Sequence, residues 1–224
     1  MANDVPLGLA DQSLSVKIYE ELRERIIEGA LAAGERIRER ELAAEFNVSR
    51  IPIREAMPRL EAEGFIKTLP RRGAVVTEMT LNDVEELFVV RSSLEVLAAK
   101  LAAQACAAGA SSDELFARLA RAEAALDAGD DRDIAGANSA LHEEILDLSG
   151  NTLLIGLMGP INGRVRRLFR LESERDQRVL CAEHRELCHA IADGNVEWAG
   201  ALAYAHVEHS RVDSLRLMRQ RLEH

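Results

Sequence analysis

The segment Glu39–Val76 packs two helical patterns, a tight turn and a hairpin signal into one short span, and that crowding constrains the fold more than any other feature. Glu39-Arg40-Glu41-Leu42-Ala43-Ala44-Glu45-Phe46 is built of strong helix formers, with Leu42, Ala43 and Phe46 on one face. Asn47 tolerates the left-handed conformation that ends a helix. Ser49 is a good N-cap for the next helix, and Pro52 falls in its first turn, where a missing N–H costs little. Gly64 stops that helix. Phe65-Ile66-Lys67-Thr68 and Ala74-Val75-Val76-Thr77 read as short strands around the turn Pro70-Arg71-Arg72-Gly73. Together these are the parts of a winged helix-turn-helix, which places one helix in the DNA major groove.

The charges agree. From Arg50 to Arg72 there are six basic residues against three acidic ones. Arg50 and Arg54 are four apart and share a face near the helix start, the end that meets base edges, and arginine suits bidentate contact with guanine or phosphate. For any single arginine, a solvated pair with Glu55 or Glu61 explains the residue equally well. Pro58 falls inside the same helix and removes the hydrogen bond to the Arg54 carbonyl, at a cost of about 3 kcal/mol if unrelieved. A kink near Arg54 is expected.

The rest of the chain reads as helix. Hydrophobic residues make up 47% of the 224 residues but aromatics only 4%, so packing falls to Leu, Ala, Val and Ile. Residues 1–10 carry no periodicity and are expected to be flexible. A first helix is expected from about Ser15 to Glu28, with Ile18, Leu22 and Ile26 as its buried stripe. The DNA-binding domain spans 11–79 and a helical domain 80–221. Leu222-Glu223-His224 resembles the start of a purification tag and is set aside. Six helices are expected, at about 81–108, 112–128, 132–149, 151–172, 175–193 and 195–220, punctuated by Gly109, Gly129, Gly150 and Gly194. Thr80 with Asp83 is a weak capping box, Ser111 with Glu114 a fuller one. Pro160 should kink the fourth of the six. The fold class is therefore mainly α: three helices and a small hairpin, then an all-α six-helix bundle.

The net charge is −10, of which residues 1–80, with twelve basic and fourteen acidic side chains, hold little. A locally basic reading helix joined to an acidic regulatory half fits that split. Three cysteines without a C-x-x-C spacing suit a reducing cytoplasm. No secretion signal or span of roughly 20 apolar residues is seen, so no membrane partner is expected.

His142, His184 and His206 fall on three different expected helices, with Asn138 one turn before His142. Three imidazoles and an oxygen donor suit zinc or nickel, although a lone helical histidine is more often structural. Cys181, His184 and Cys188 share a face and offer either soft ligands or small core hydrophobes. His209 is read as a surface residue or as the rim of the same pocket. Arg91 can fork onto a carboxylate or pair with Glu95.

Leu31 to Gly34, Glu39-Arg40-Glu41-Leu42-Ala43, Ser49-Arg50-Ile51-Pro52-Ile53-Arg54-Glu55-Ala56, Arg59-Leu60-Glu61-Ala62-Glu63-Gly64 and Arg72-Gly73-Ala74-Val75-Val76 resemble the GntR family of bacterial transcription regulators. The resemblance implies that Arg40, Arg50 and Arg54 contact DNA and that Gly73 sits at the wing tip. Ser49 and Arg72, in the same motifs, complete the expected DNA-binding set. Arg91-Ser92-Ser93-Leu94-Glu95, Asn138-Ser139-Ala140-Leu141-His142, Ser149-Gly150-Asn151, Glu183-His184, Ala190-Ile191-Ala192-Asp193-Gly194-Asn195 and His206 resemble the FCD effector domain of the FadR subfamily. That resemblance implies a divalent metal held by His142, His184 and His206, with Asn138 standing where the family most often has Asp. The amide is a poorer ligand. It also implies Arg91 as an effector-binding residue.

The expected function is a DNA-binding transcription regulator, not an enzyme. It binds a palindromic operator as a homodimer in the cytoplasm and is tuned by a small carboxylate effector and a divalent metal, zinc or nickel. One alternative makes the metal itself the signal. Another is a helical metalloenzyme using the same histidines, with Glu143 or Glu144 as general base.

Overall fold

The structure, a computed structural model, describes residues 9–70, 73–129, 131–171 and 176–223. The chain divides into two compact units, Met1–Met79 and Thr80–His224. Arg71, Arg72 and His224, and residues 1–8 of the expected flexible N-terminus, lie outside the described residues.

In the first unit α1 (Leu9–Ile27), α2 (Glu39–Glu45) and α3 (Arg50–Ala62) precede the strands β1 (Ile66–Leu69) and β2 (Gly73–Val76). α1 begins at Leu9, ahead of the expected Ser15. Its stripe Ile18, Leu22 and Ile26 is buried against Ile53, Ala56 and Leu60 of α3 and against Phe65. Asn47 is the one non-glycine residue with positive φ (53°) among the described residues. The Asn47 N–H donates to the Ala44 carbonyl at 3.3 Å and the Val48 N–H to the Ala43 carbonyl at 3.0 Å, the paired bonds of a Schellman stop. That stop sets the angle at which α3 leaves α2. Ser49 occupies the N-cap of α3 in extended conformation, but its side chain makes no cap hydrogen bond, contrary to expectation. α3 runs unbroken through Pro58.

Two latches fix α3 and the hairpin. The Tyr19 hydroxyl donates to the Glu63 carboxylate at 2.7 Å, and the Arg59 guanidinium lies 3.7 Å above the Tyr19 ring. Burial, then the Glu63 carboxylate, pushes the Tyr19 phenol up to about 12, so it remains a donor at any physiological pH. The hairpin is antiparallel, with Ile66 opposite Val76 and Leu69 opposite Gly73. A third segment joins its edge through an Arg36–Val75 bridge, with the Ile37 N–H donating to the Ala74 carbonyl at 2.9 Å.

The second unit contains α4 (Leu81–Ala107), α5 (Asp113–Ala128), α6 (Asp131–Leu148), α7 (Thr152–Arg170), α8 (Gln177–Ala192) and α9 (Val196–Glu223). The expected mainly helical class, with a hairpin confined to the first unit, is what the described residues form. α4 and α9 are the longest helices and pack together. Their line of contact is lined by Ala98, Ala99, Ala102 and Ala103 with Ala199 and Ala203, small side chains that bring the two backbones close. Gly194 turns the chain into α9 at φ +68°, and a Cβ there would meet the Ala107 methyl at 2.8 Å. Leu115, Leu119, Leu141, Ile145, Leu154, Leu187 and Ile191 fill the bundle around this pair.

The caps exchange their expected ranks. Thr80 and Asp83 form a complete reciprocal box at the start of α4: the Thr80 N–H donates to Asp83 at 2.8 Å and the Asp83 N–H to the Thr80 hydroxyl at 3.2 Å. Ser111 does not cap through Glu114. The N-cap of α5 is Ser112, and Ser111 accepts instead from the Asp113 N–H at 3.1 Å. α7, like α3, contains its proline without interruption.

Candidate functional site

The amino end of α3 presents its side chains to solvent. Arg40, Ser49, Arg50, Arg54 and Gly73 are all exposed, while Pro52, Ile53 and Ala56 face the core. Arg54 is held by Glu39 at 2.7 Å. Arg36, Arg40 and Arg50 make no ion pair among the described residues. Arg72 falls outside those residues. Two features escaped the sequence reading. Arg36 lies beside the wing, where a Cβ on Gly73 would stand 3.7 Å from its Nε and Nη2. Ile51 projects from the first turn of α3 with 67% of its surface exposed, next to Arg50. An apolar side chain there suits a thymine methyl. The bridge that carries Arg36 to the hairpin is a tertiary contact, so nothing in the sequence around residue 36 announced it.

In the second constellation His184 and His206 are buried and His142 is half-buried. His142 on α6, His184 on α8 and His206 on α9 converge, so the sequence's three separate histidines are one cluster. His184 Nε2 lies 3.2 Å from His142 Nε2 and 3.3 Å from His206 Nε2. Two imidazole nitrogens bound to one tetrahedral zinc, each at about 2.05 Å, stand about 3.3 Å apart. The separations therefore match a shared ion. The protons point the same way. Each neutral imidazole carries one N–H, so a proton placed on His184 Nε2 would satisfy only one of its two neighbours. A cation between them satisfies all three lone pairs. Among the described residues this triad is the group able to hold a metal ion, and neither Cys181 nor Cys188 belongs to it. Both thiols are buried. Burial, then Glu123, raises each, Cys188 to about 12, which makes them core groups rather than thiolate ligands.

Two carboxylates stand behind the triad. Glu183 Oε2 lies 2.8 Å from His206 Nδ1 and its Oε1 is 2.5 Å from His209 Nδ1. Glu95 Oε2 lies 3.7 Å from His142 Nδ1. Burial alone would raise both carboxyls. The charge of Arg91, then of His142, pulls Glu95 below the ordinary carboxylate range, and hydrogen bonds from His206 and His209 do the same for Glu183. Both are therefore ionised at neutral pH. Asn138, the expected fourth ligand, turns its amide Nδ2 toward Gln177 Oε1 at 3.5 Å, a marginal contact. His209, left open by the sequence, is tied to Glu183.

Arg91 is buried, 2% exposed, and its Nε donates to Glu95 Oε1 at 2.6 Å. Its guanidinium rests on Phe88 at 4.6 Å and Phe169 at 5.4 Å. Among the described residues Nη1 has no acceptor, which leaves one buried donor of a fixed fork unfilled. Glu143 is exposed, and Glu144 lies among Glu114 and Asp147; neither is part of the triad.

Residues 14–76 match the family described as bacterial regulatory proteins, gntR family, and residues 86–209 match the FCD domain. The chain belongs to the GntR family. A GntR-type relative from Bacillus subtilis, the uncharacterized HTH-type transcriptional regulator YdhC, is 33% identical over 87% of this chain and 88% of its own. The Nta operon transcriptional regulator of Aminobacter aminovorans is 32% identical over 78% of this chain and 82% of its own. A GntR transcriptional regulator structure from a Rhodococcus species shares the fold, with a TM-score of 0.76 at 23% identity, covering 91% of this chain and 98% of that one. This GntR member is thus a DNA-binding transcriptional regulator with an FCD domain, and its homologues and domains are those of a regulator rather than an enzyme. No described helix is long and apolar enough to cross a membrane.

Proposed function

We propose that this GntR regulator binds a palindromic double-stranded DNA operator as a homodimer in the cytoplasm, and that a small carboxylate tunes its affinity at a divalent metal, zinc or nickel, held by His142, His184 and His206. Arg40, Ser49, Arg50, Arg54, Arg72 and Gly73 face the DNA in this reading, and Arg36 joins them. The convergence of three Nε2 atoms carries the metal half of the proposal. Three protein ligands leave positions for an effector's oxygens. The unfilled Nη1 of Arg91 supports an anionic effector, since a buried guanidinium donor without an acceptor costs about 1–3 kcal/mol. Asn138 carries no charge to the ion and enters only as a weak amide ligand. Leu153 and Leu157 on α7 and Val89 and Val90 on α4 leave apolar surface exposed on the helical unit, which supports self-association there.

The test uses the full chain and operator DNA selected from a random pool. Chelated protein should take up one zinc or nickel per chain, and operator affinity should respond to short carboxylic acids only in the metal-loaded protein. His184→Ala should lose the ion and the response. Operator affinity that follows metal without any acid would instead make the metal the signal. Undiminished uptake in His184→Ala would remove the site.

A further inference from the structure

We infer that Glu183 is a positioning residue for the imidazole site: its carboxylate locks His206 in the tautomer whose Nε2 lone pair faces the ion, and His209 clamps the carboxylate from the other side. This rests on the metal reading above and assigns work to two residues outside the triad. An ionised carboxylate only accepts hydrogen bonds. With Glu183 Oε2 at 2.8 Å, the single proton of neutral His206 must therefore sit on Nδ1, and Nε2 is left bare toward His184. Glu95 does not hold His142 in the same way, since it stands 3.7 Å from that ring's Nδ1, beyond a hydrogen bond. Glu183 is itself held. His209, one turn along α9 from His206, meets its second oxygen at 2.5 Å. One segment of α8 thus supplies a ligand, His184, and beside it the carboxylate that orients the ligand on α9. Glu183 also brings a negative charge one hydrogen bond behind His206, in a chain whose Asn138 brings none. Backing carboxylates of this kind typically change metal affinity 10–100-fold.

The competing account makes Glu183 a plain staple between α8 and α9. Two measurements on the full chain separate them. In zinc-free protein, long-range proton–nitrogen correlation should show His206 as the Nδ1–H tautomer, and Glu183→Ala should convert it to a mixture. Competition with a chromophoric chelator should then give zinc affinity about 10–100-fold weaker in Glu183→Ala, with an intermediate loss in Glu183→Gln and a smaller one in His209→Ala. Glu183→Gln keeps the shape and supplies the answer where the alanine variant does not fold. A wild-type His206 protonated on Nε2, or zinc affinity unchanged in both Glu183 variants, would overturn the inference while leaving the triad standing. A wild-type protein without zinc affinity would overturn the metal reading as well.

Discussion

Arg50 and Arg54 sit one helical turn apart on α3, and in the proposed DNA complex they enter on different terms. Arg54 must exchange Glu39, at 2.7 Å, for a phosphate or base, whereas Arg50 surrenders no ion pair among the described residues. An exposed pair of the Arg54–Glu39 kind is worth about 0.2–1 kcal/mol. Glu39→Gln should therefore strengthen operator binding, by no more than about fivefold at that upper value. Arg50→Ala and Arg36→Ala should each weaken binding and lower the slope of log affinity against log salt by about 1 if each meets one phosphate. Fluorescence anisotropy of labelled operator across a salt series measures all three variants. An unchanged slope for Arg36→Ala would take that residue off the interface, and weaker binding in Glu39→Gln would mean that Glu39 holds Arg54 in its reading position.

Among the elements, α4 carries the clearest local signal. Burial alone would raise the Asp83 carboxyl, but the Thr80 hydroxyl and N–H, then Arg164, outweigh it and leave the group below its ordinary value. A carboxyl depressed in the folded state adds stability that is present above the unfolded value, about 3.9, and is lost as pH falls through the folded one. Asp83→Ala should cost about 1 kcal/mol at pH 7. The gap between variant and parent in urea unfolding should close as pH falls below about 3.9, through the depressed folded value. A gap of the same size at both ends of that range would assign Asp83 to packing rather than capping. This box was legible as residue types three apart, and so was the failed one at Ser111, because spacing states which groups can meet but not the φ and ψ that bring them together. Helix existence was far easier to read, since Gly129, Gly150 and Gly194 mark real breaks and the Ile18, Leu22, Ile26 stripe is real core. The imidazoles were legible as candidates only. Their convergence depends on how α6, α8 and α9 pack; Glu95 was legible only as a partner for Arg91, and Glu183 went unassigned because a carboxylate at helical spacing has a solvated reading at nearly every position.

At the scale of the molecule, a net charge of −10 opposes approach to DNA, so a few arginines on one unit must overcome a repulsive body. In the proposed homodimer, two reading heads solve that difficulty without additional basic residues. Once the first head is seated, the second binds its half-site at an effective concentration set by the dimer's geometry, and avidity exceeds either single affinity by about 10²–10⁴. The apolar surface for such a join is available on the helical unit, where α7 exposes 73% of Leu153 and 52% of Leu157 one turn apart. A charge at either position would have to be desolvated in a paired interface, yet costs little on a free surface. Leu153→Glu should therefore sediment as a monomer with an unaltered unfolding midpoint for the isolated chain. Its affinity for a single half-site should equal that of the parent, while its affinity for the full palindrome should fall by about 10²-fold or more. Equal losses on half-site and palindrome would place the defect in the reading head itself. A variant that still sediments as the parent does would move the join elsewhere on the helical unit, with Val89 and Val90 of α4 as the next positions to charge.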